Sequence, residues 1–209
     1  MRRLFLYILF IIFCISSRAQ APDISILQVR APESFKAKFT TTKGVFVIES
    51  VRKWSPDGVD RVYQLIKTGF FNNSLLFRVE PGFLVQFGVA EKYAVNRFWD
   101  PKKLVDEPMQ QLNKRGMISF AHGGKNNRAT QLFINMADNP DLDTTVRHGV
   151  KGFTPVARVI SGMETLSRLN GQYGRLPAKI QDSLYKYGNR YFEKKFPGLD
   201  KIISATILR

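Results

Sequence analysis

The chain has 209 residues, 44% of them hydrophobic, and a formal net charge of +15 at pH 7. That length suits one domain with a sizeable core, and a single cysteine, Cys14, excludes a disulfide framework or a cysteine-based zinc site. The basic excess would suit a polyanion, but the Lys and Arg residues are spread along the chain and not clustered with aromatics, so a solvated basic surface with no specific nucleic-acid partner is expected.

Arg2-Arg3 precedes an almost unbroken apolar run over residues 4–15, and Ser17-Arg18-Ala19 puts small residues at the two positions a signal peptidase reads. The run is shorter than the about 20 apolar residues a membrane-spanning helix needs. Residues 1–19 therefore read as a secretory signal peptide. The mature chain is expected in the periplasm or outside the cell, with no stable membrane span. An uncleaved anchor is the alternative. Losing Arg2, Arg3 and Arg18 lowers the net charge to +12, and Cys14 leaves with them. Residues 20–34, with Pro22 and Pro32, read as a loose leader.

Beyond it, Phe35, Ala37, Phe39 and Thr41 alternate with Lys36, Lys38 and Thr40, the period of a half-buried strand. Thr42-Lys43-Gly44 turns the chain and residues 45–48 return, predicting a hairpin. Ser55-Pro56-Asp57 has the form of a helix start, with Ser55 as the cap. Val59, Val62, Tyr63 and Ile66 then follow at helical spacing, and Gly69 stops the helix. Residues 75–88 hold two apolar runs around Pro81-Gly82, with Arg78 inside the first and Gln86 inside the second. A cation, the Phe83 ring and an amide around one tight turn have the make-up of a small apolar pocket with a few placed polar groups.

Residues 89–115 read as long and irregular, with Trp99 as an anchor. Further strands are predicted over residues 117–121, 131–136 and 153–160. Ser161-Gly162-Met163-Glu164 has the form of a capping box before a second helix. Ile180, Leu184, Tyr187 and Tyr191 place an amphipathic helix over residues 179–196, ended by Pro197-Gly198, with a last strand at 202–208. The two histidines, His122 and His148, form no helical pair, and Asp138, Asp141 and Asp143 lack the glycine and glutamate of a calcium loop. No metal site or cofactor is expected.

Arg78, Pro81, Gly82, Phe83, Gln86 and Gly88, followed by Ser119-Phe120-Ala121 and Thr130-Gln131-Leu132-Phe133-Ile134, resemble in order and spacing the two core motifs of the cyclophilin family of peptidyl-prolyl cis-trans isomerases. The resemblance spans residues 35–169, and bacterial members look nearest. It implies a mainly β fold over residues 35–174, a closed eight-stranded antiparallel barrel capped by two helices, with residues 175–209 as a C-terminal helix extension packed on the barrel. Pattern alone gives only a β-rich domain.

Carried onto this sequence, the resemblance makes Arg78, Phe83, Gln86 and Phe133 the catalytic set. Leu84, Ala121, His122, Leu142 and Phe153 would bind substrate. It implies isomerisation of X-Pro bonds in unfolded or exported polypeptides, by a monomer. Several positions depart from the family pattern. Phe77 stands for a histidine before the arginine, Phe153 for a histidine at the pocket wall, Asp141 for a tryptophan common in eukaryotic members, and Val156-Ala157 for a common Phe-Gly. The first two are expected to make the wall more apolar. Residues 143–152 form a longer loop than usual beside the pocket. A catalytically weak chaperone or binding module of the same fold is the alternative function.

Overall fold

The computed structural model describes residues 21–208; the expected signal peptide lies outside them. In β1 (Ser34–Thr41) the alternating residues Phe35, Ala37, Phe39 and Thr41 are buried. β2 (Gly44–Val51) returns antiparallel, with Phe39 opposite Phe46 and their rings stacked at 4.9 Å. α1 (Pro56–Lys67) buries Val59, Val62, Leu65 and Ile66.

The expected Ser55 cap is corrected. Its hydroxyl donates to the Glu107 carboxylate, which itself accepts from the backbone N–H groups of Asp57 (2.8 Å) and Gly58 (3.1 Å). A full negative charge from a distant loop thus sits at the positive end of the helix, a stronger partner than a neutral hydroxyl. The Arg128 guanidinium, 2% exposed, pairs with the same carboxylate at 3.1 Å.

The remaining elements are β3 (Ser74–Leu75), β4 (Arg78–Glu80), β5 (Leu84–Phe87), α2 (Tyr93–Trp99), β6 (Met117–Phe120), β7 (Leu132–Asn135), α3 (Asp141–Thr144), β8 (Val146–Arg147), β9 (Val150–Lys151), β10 (Pro155–Ser161), α4 (Met163–Ser167), α5 (Gln181–Lys195) and β11 (Lys201–Leu208). Nine strands form one curled antiparallel sheet in the order β3-β11-β1-β2-β10-β6-β7-β5-β4, and β8 and β9 pair separately. The fold is mainly β, as expected, but the closed eight-stranded barrel is corrected: the sheet has nine strands and its end strands are not hydrogen-bonded to each other. The reason is that both ends belong to one extended segment. Leu75 pairs with Lys201 in β11, and three residues later Arg78 pairs with Gln86 in β5. One segment cannot ladder with itself, so the chain crosses the seam covalently through Leu76-Phe77. β11, expected within an extension, is a full member of the sheet between β3 and β1.

The core inside the curl is aromatic. Phe71 lies 5.7 Å from Phe39 and 5.5 Å from Phe87. Trp99 is fully buried and anchors the irregular stretch, within which α2 is a helix too short for periodicity to reveal. Arg61 lies over Trp99 at 5.1 Å and donates to the carbonyls of Lys102 and Ala129. Burial, with Arg128 nearby, pulls its pKa down to about 10, so it stays charged at neutral pH.

The expected capping box before α4 is also corrected. Ser161 ends β10, and Gly162 occupies the cap at φ +89°, where a Cβ would come within 2.4 Å of the Val45 carbonyl.

The unbroken helix expected over residues 179–196 is corrected: α5 is kinked at Gly188, which leaves helical geometry at φ +71° and ψ −173°, a conformation open to glycine. It has its own anchorage on both sides of the kink: Leu184, Phe192 and Phe196 pack with Leu75, Phe77 and Val89 in a cluster separate from the main core. Phe77 is therefore not at the pocket wall. Strand alternation sends it to the face opposite Arg78, where it is completely buried beneath α5.

Glu107→Ala removes the hydrogen-bonded carboxylate of buried Arg128, leaving it only the longer 3.9 Å ion pair with Asp106, and uncaps the first turn of α1. The expected loss is about 3 kcal/mol, read as a lower urea midpoint with an unchanged slope.

Candidate active site

The site is built on strand register. In the β4–β5 hairpin Arg78 lies opposite Gln86, and in the β5–β7 pair Gln86 lies opposite Phe133. Cation, amide and aromatic ring thus form one row across three strands, close enough for their side chains to meet. Glu80, two residues beyond Arg78, shares its face. Arg78 Nε donates to Glu80 Oε1 at 2.5 Å, and Nη1 donates to Gln86 Oε1 at 3.2 Å. Among the described residues nothing accepts from Nη2. The guanidinium also lies 5.6 Å from the Phe83 ring centroid, and its side chain is 19% exposed.

Beside it is an apolar cup. Leu84, Phe133 and Phe153 are buried together, with Phe83, Ala121 and Leu142 partly buried around them. Phe133 and Phe153 meet edge to face at 5.5 Å. The His122 ring lies tilted against Phe153 at 4.5 Å and its Nε2 bonds the Gly152 carbonyl at 2.9 Å, so its ring is engaged with the wall.

The rim is held by Asn113, whose amide nitrogen donates to Asp143 (2.8 Å) and to the Phe153 carbonyl (2.9 Å). This ties α3, which carries Leu142, to the Phe153 wall. Gly152 makes the close approach possible: at φ +71° a Cβ would sit 2.7 Å from the Asp143 carbonyl.

Arg78, Phe83, Leu84, Gln86, Ala121, His122, Phe133, Leu142 and Phe153 all line one cavity of about 740 Å³. The longer loop at 143–152 is a small hairpin, β8–β9, that sets Arg147 at the cavity edge, 5.7 Å from the Phe153 ring. The sequence reading did not assign Glu80 or Gln131 a role in the site. Glu80 had a signal, since i and i+2 share a strand face. Gln131 stands inside the Thr130–Ile134 motif and accepts from Gln86 Nε2 at 2.8 Å. The far wall, made by α2 and α5, carried no local signal.

A match to the family described as cyclophilin type peptidyl-prolyl cis-trans isomerase/CLD covers residues 36–183. The chain belongs to the cyclophilin family. Peptidyl-prolyl cis-trans isomerase A of Dickeya dadantii is 28% identical over 78% of this chain and 93% of its own length. Peptidyl-prolyl cis-trans isomerase CYP18-2 of Arabidopsis thaliana is 31% identical over 62% of this chain and 76% of its own. A crystal structure of a Cryptosporidium parvum cyclophilin type peptidyl-prolyl cis-trans isomerase covers 84% of this chain and 98% of that one, with a TM-score of 0.62 at 18% identity. Cyclophilin AquaCyp293 from Hirschia baltica gives 0.57 at 16% identity, over 85% of this chain and 75% of its own.

Membership makes this cyclophilin an enzyme of the peptidyl-prolyl isomerase class. A guanidinium stays protonated through turnover, so what the protein must control is its direction. Glu80 and Gln86 hold two of its three nitrogens, and among the described residues nothing holds the third.

Glu80→Ala is expected to lower kcat about tenfold, the loss of one charge-assisted hydrogen bond that aims Arg78. Its effect on stability stays within about 1 kcal/mol because the pair is partly exposed. Glu80→Gln, which still offers an oxygen to Nε, restores most of the rate. Steady-state kinetics and thermal melts of both variants check this.

Proposed function

We propose that the protein speeds rotation about X-Pro bonds of exported polypeptides by stabilising the twisted amide with Arg78. The observation that carries this is a guanidinium fixed by Glu80 and Gln86 at the lip of an apolar cup, with Nη2 unengaged. The uncatalysed barrier, about 18–20 kcal/mol, comes from lost amide resonance. In the planar amide the nitrogen lone pair is delocalised and accepts hydrogen bonds poorly. As the bond twists the lone pair localises, and a donor waiting beside it gains an interaction absent in the ground state. Lowering the barrier by about 7 kcal/mol gives about 10⁵-fold acceleration.

The cup supports the same reading. Leu84, Phe133, Phe153 and Leu142 offer an apolar seat for a proline ring, while Phe83 covers the arginine. Holding the ring still while the acyl side turns requires only shape and desolvation. Gln86 has both ends committed, to Arg78 and to Gln131, so its first role here is to aim the arginine. Ala121 and His122 lie along the cavity where the neighbouring peptide backbone would run.

The export role rests on the composition of residues 1–19. It predicts that the protein recovered from the producing cell lies outside the cytoplasm and begins at or near Gln20, as read by fractionation and N-terminal sequencing. Full-length protein confined to the cytoplasm would remove the exported substrates from the proposal.

Catalysis is tested by NMR exchange on a short X-Pro peptide. Wild type is expected to accelerate exchange, and Arg78→Ala to lose about 100-fold or more with its fold intact. A folded wild type with no activity would favour the binding-module alternative.

A further inference from the structure

The hydrogen-bond chain that fixes Arg78 does not end at Gln86. Gln86 Nε2 donates to Gln131 Oε1 at 2.8 Å, and Gln131 Nε2 donates to the Tyr185 hydroxyl oxygen at 3.0 Å. Tyr185 lies on α5, outside the curled sheet, and lines the same cavity as Arg78. The helix is held there independently of the bond, because the adjacent Leu184 is buried in the Phe77 cluster.

An amide has an oxygen end and a nitrogen end of nearly equal shape, so its orientation is set by its partners. Two amides in series pass that choice along the chain. The guanidinium only donates, so Gln86 must turn its oxygen to Arg78 and its nitrogen to Gln131, whose own nitrogen then points outward to the Tyr185 oxygen. Without the Tyr185 oxygen that last nitrogen has lost its partner, and the outer end of the pair is no longer held. Gln131 and Gln86 then move more freely, and Arg78 with them.

We propose that Tyr185 is a positioning residue for catalysis: its hydroxyl oxygen holds the outer end of the Gln131–Gln86 pair in place and so steadies Arg78 toward the proline cup. Burial raises the phenol above its ordinary pKa. The group therefore stays neutral at physiological pH, and its oxygen accepts from Gln131 as a phenol. The α5 wall faces the substrate groove in a second respect. Gln181, one helical turn before Tyr185, also lines the cavity, and its Oε1 is buried with no partner among the described residues. The C-terminal helix is thus a functional wall of the site and not only packing on the sheet.

This inference rests on Arg78 being the catalytic donor. The experiment therefore has two readouts on the full chain. Tyr185→Phe keeps the ring and removes only the oxygen. It is expected to lower kcat about three- to tenfold at unchanged KM and melting temperature. In a Gln131→Ala background the same substitution should change nothing further, because the relay is already cut. An equal loss in both backgrounds, or no loss in either, overturns the proposal.

The second readout does not need turnover. The side-chain amide NMR signals of both Gln131 and Gln86 should move in Tyr185→Phe, and an unmoved Gln86 signal overturns the relay. A wild type that is inert, or an Arg78→Ala variant that keeps full activity, refutes the isomerase mechanism instead. The amide signals report on Tyr185 in either case.

Discussion

A guanidinium half withdrawn from water has to be given acceptors, and the structure depends on supplying them without using up the face that meets a substrate. Register solves the first part. β4 and β5 set Arg78 across from Gln86, and the two-residue period of β4 brings Glu80 to the same side. β7 extends the row to Phe133, where polar chemistry gives way to the apolar cup. A one-residue slip of the hairpin would send Arg78 into the Phe77 cluster and Phe77 into the cavity, so the aromatic packing beneath α5 also locks the arginine's side of the sheet.

Much of this was legible in the sequence because it is local. Alternation in residues 35–41, the Pro81-Gly82 turn and the spacing from Arg78 to Gln86 are consequences of short-range geometry, and the motif order carried the family. The positions that misled were those where a distant partner intervenes. Ser55 looks like a helix cap until Glu107 arrives from a far loop with a full charge. Ser161 looks like half of a capping box until β10 claims it and the close approach to Val45 leaves room only for glycine. Phe77 invited comparison with a pocket residue because the motif gives its place in the chain but not the helix lying over it. Nine residues singled out from sequence line one cavity, whereas Gln131 and Tyr185, 54 positions apart, share a hydrogen bond that no local pattern announces.

The polar groups around the cup divide their labour. Asn113 and Asp143 are buried and fully engaged in tying α3 to the Phe153 wall, which fixes the shape of the seat. Glu80 and Gln86 act on direction, and α2 and α5 on the breadth of the groove. The basic β8–β9 hairpin, with Arg147 at the cavity edge, adds to the Phe153 side of the wall, apart from the row across the sheet.

The covalent seam has a consequence for how the molecule comes into being. β1 has β11 as one of its two neighbours, and Thr41 pairs with Ile202 there, 161 positions further along. β3, just before the strand that carries Arg78, pairs with β11 as well. Closing so long a loop is a late, entropically expensive step. The two borders of the sheet therefore meet late in folding, three residues away from the arginine.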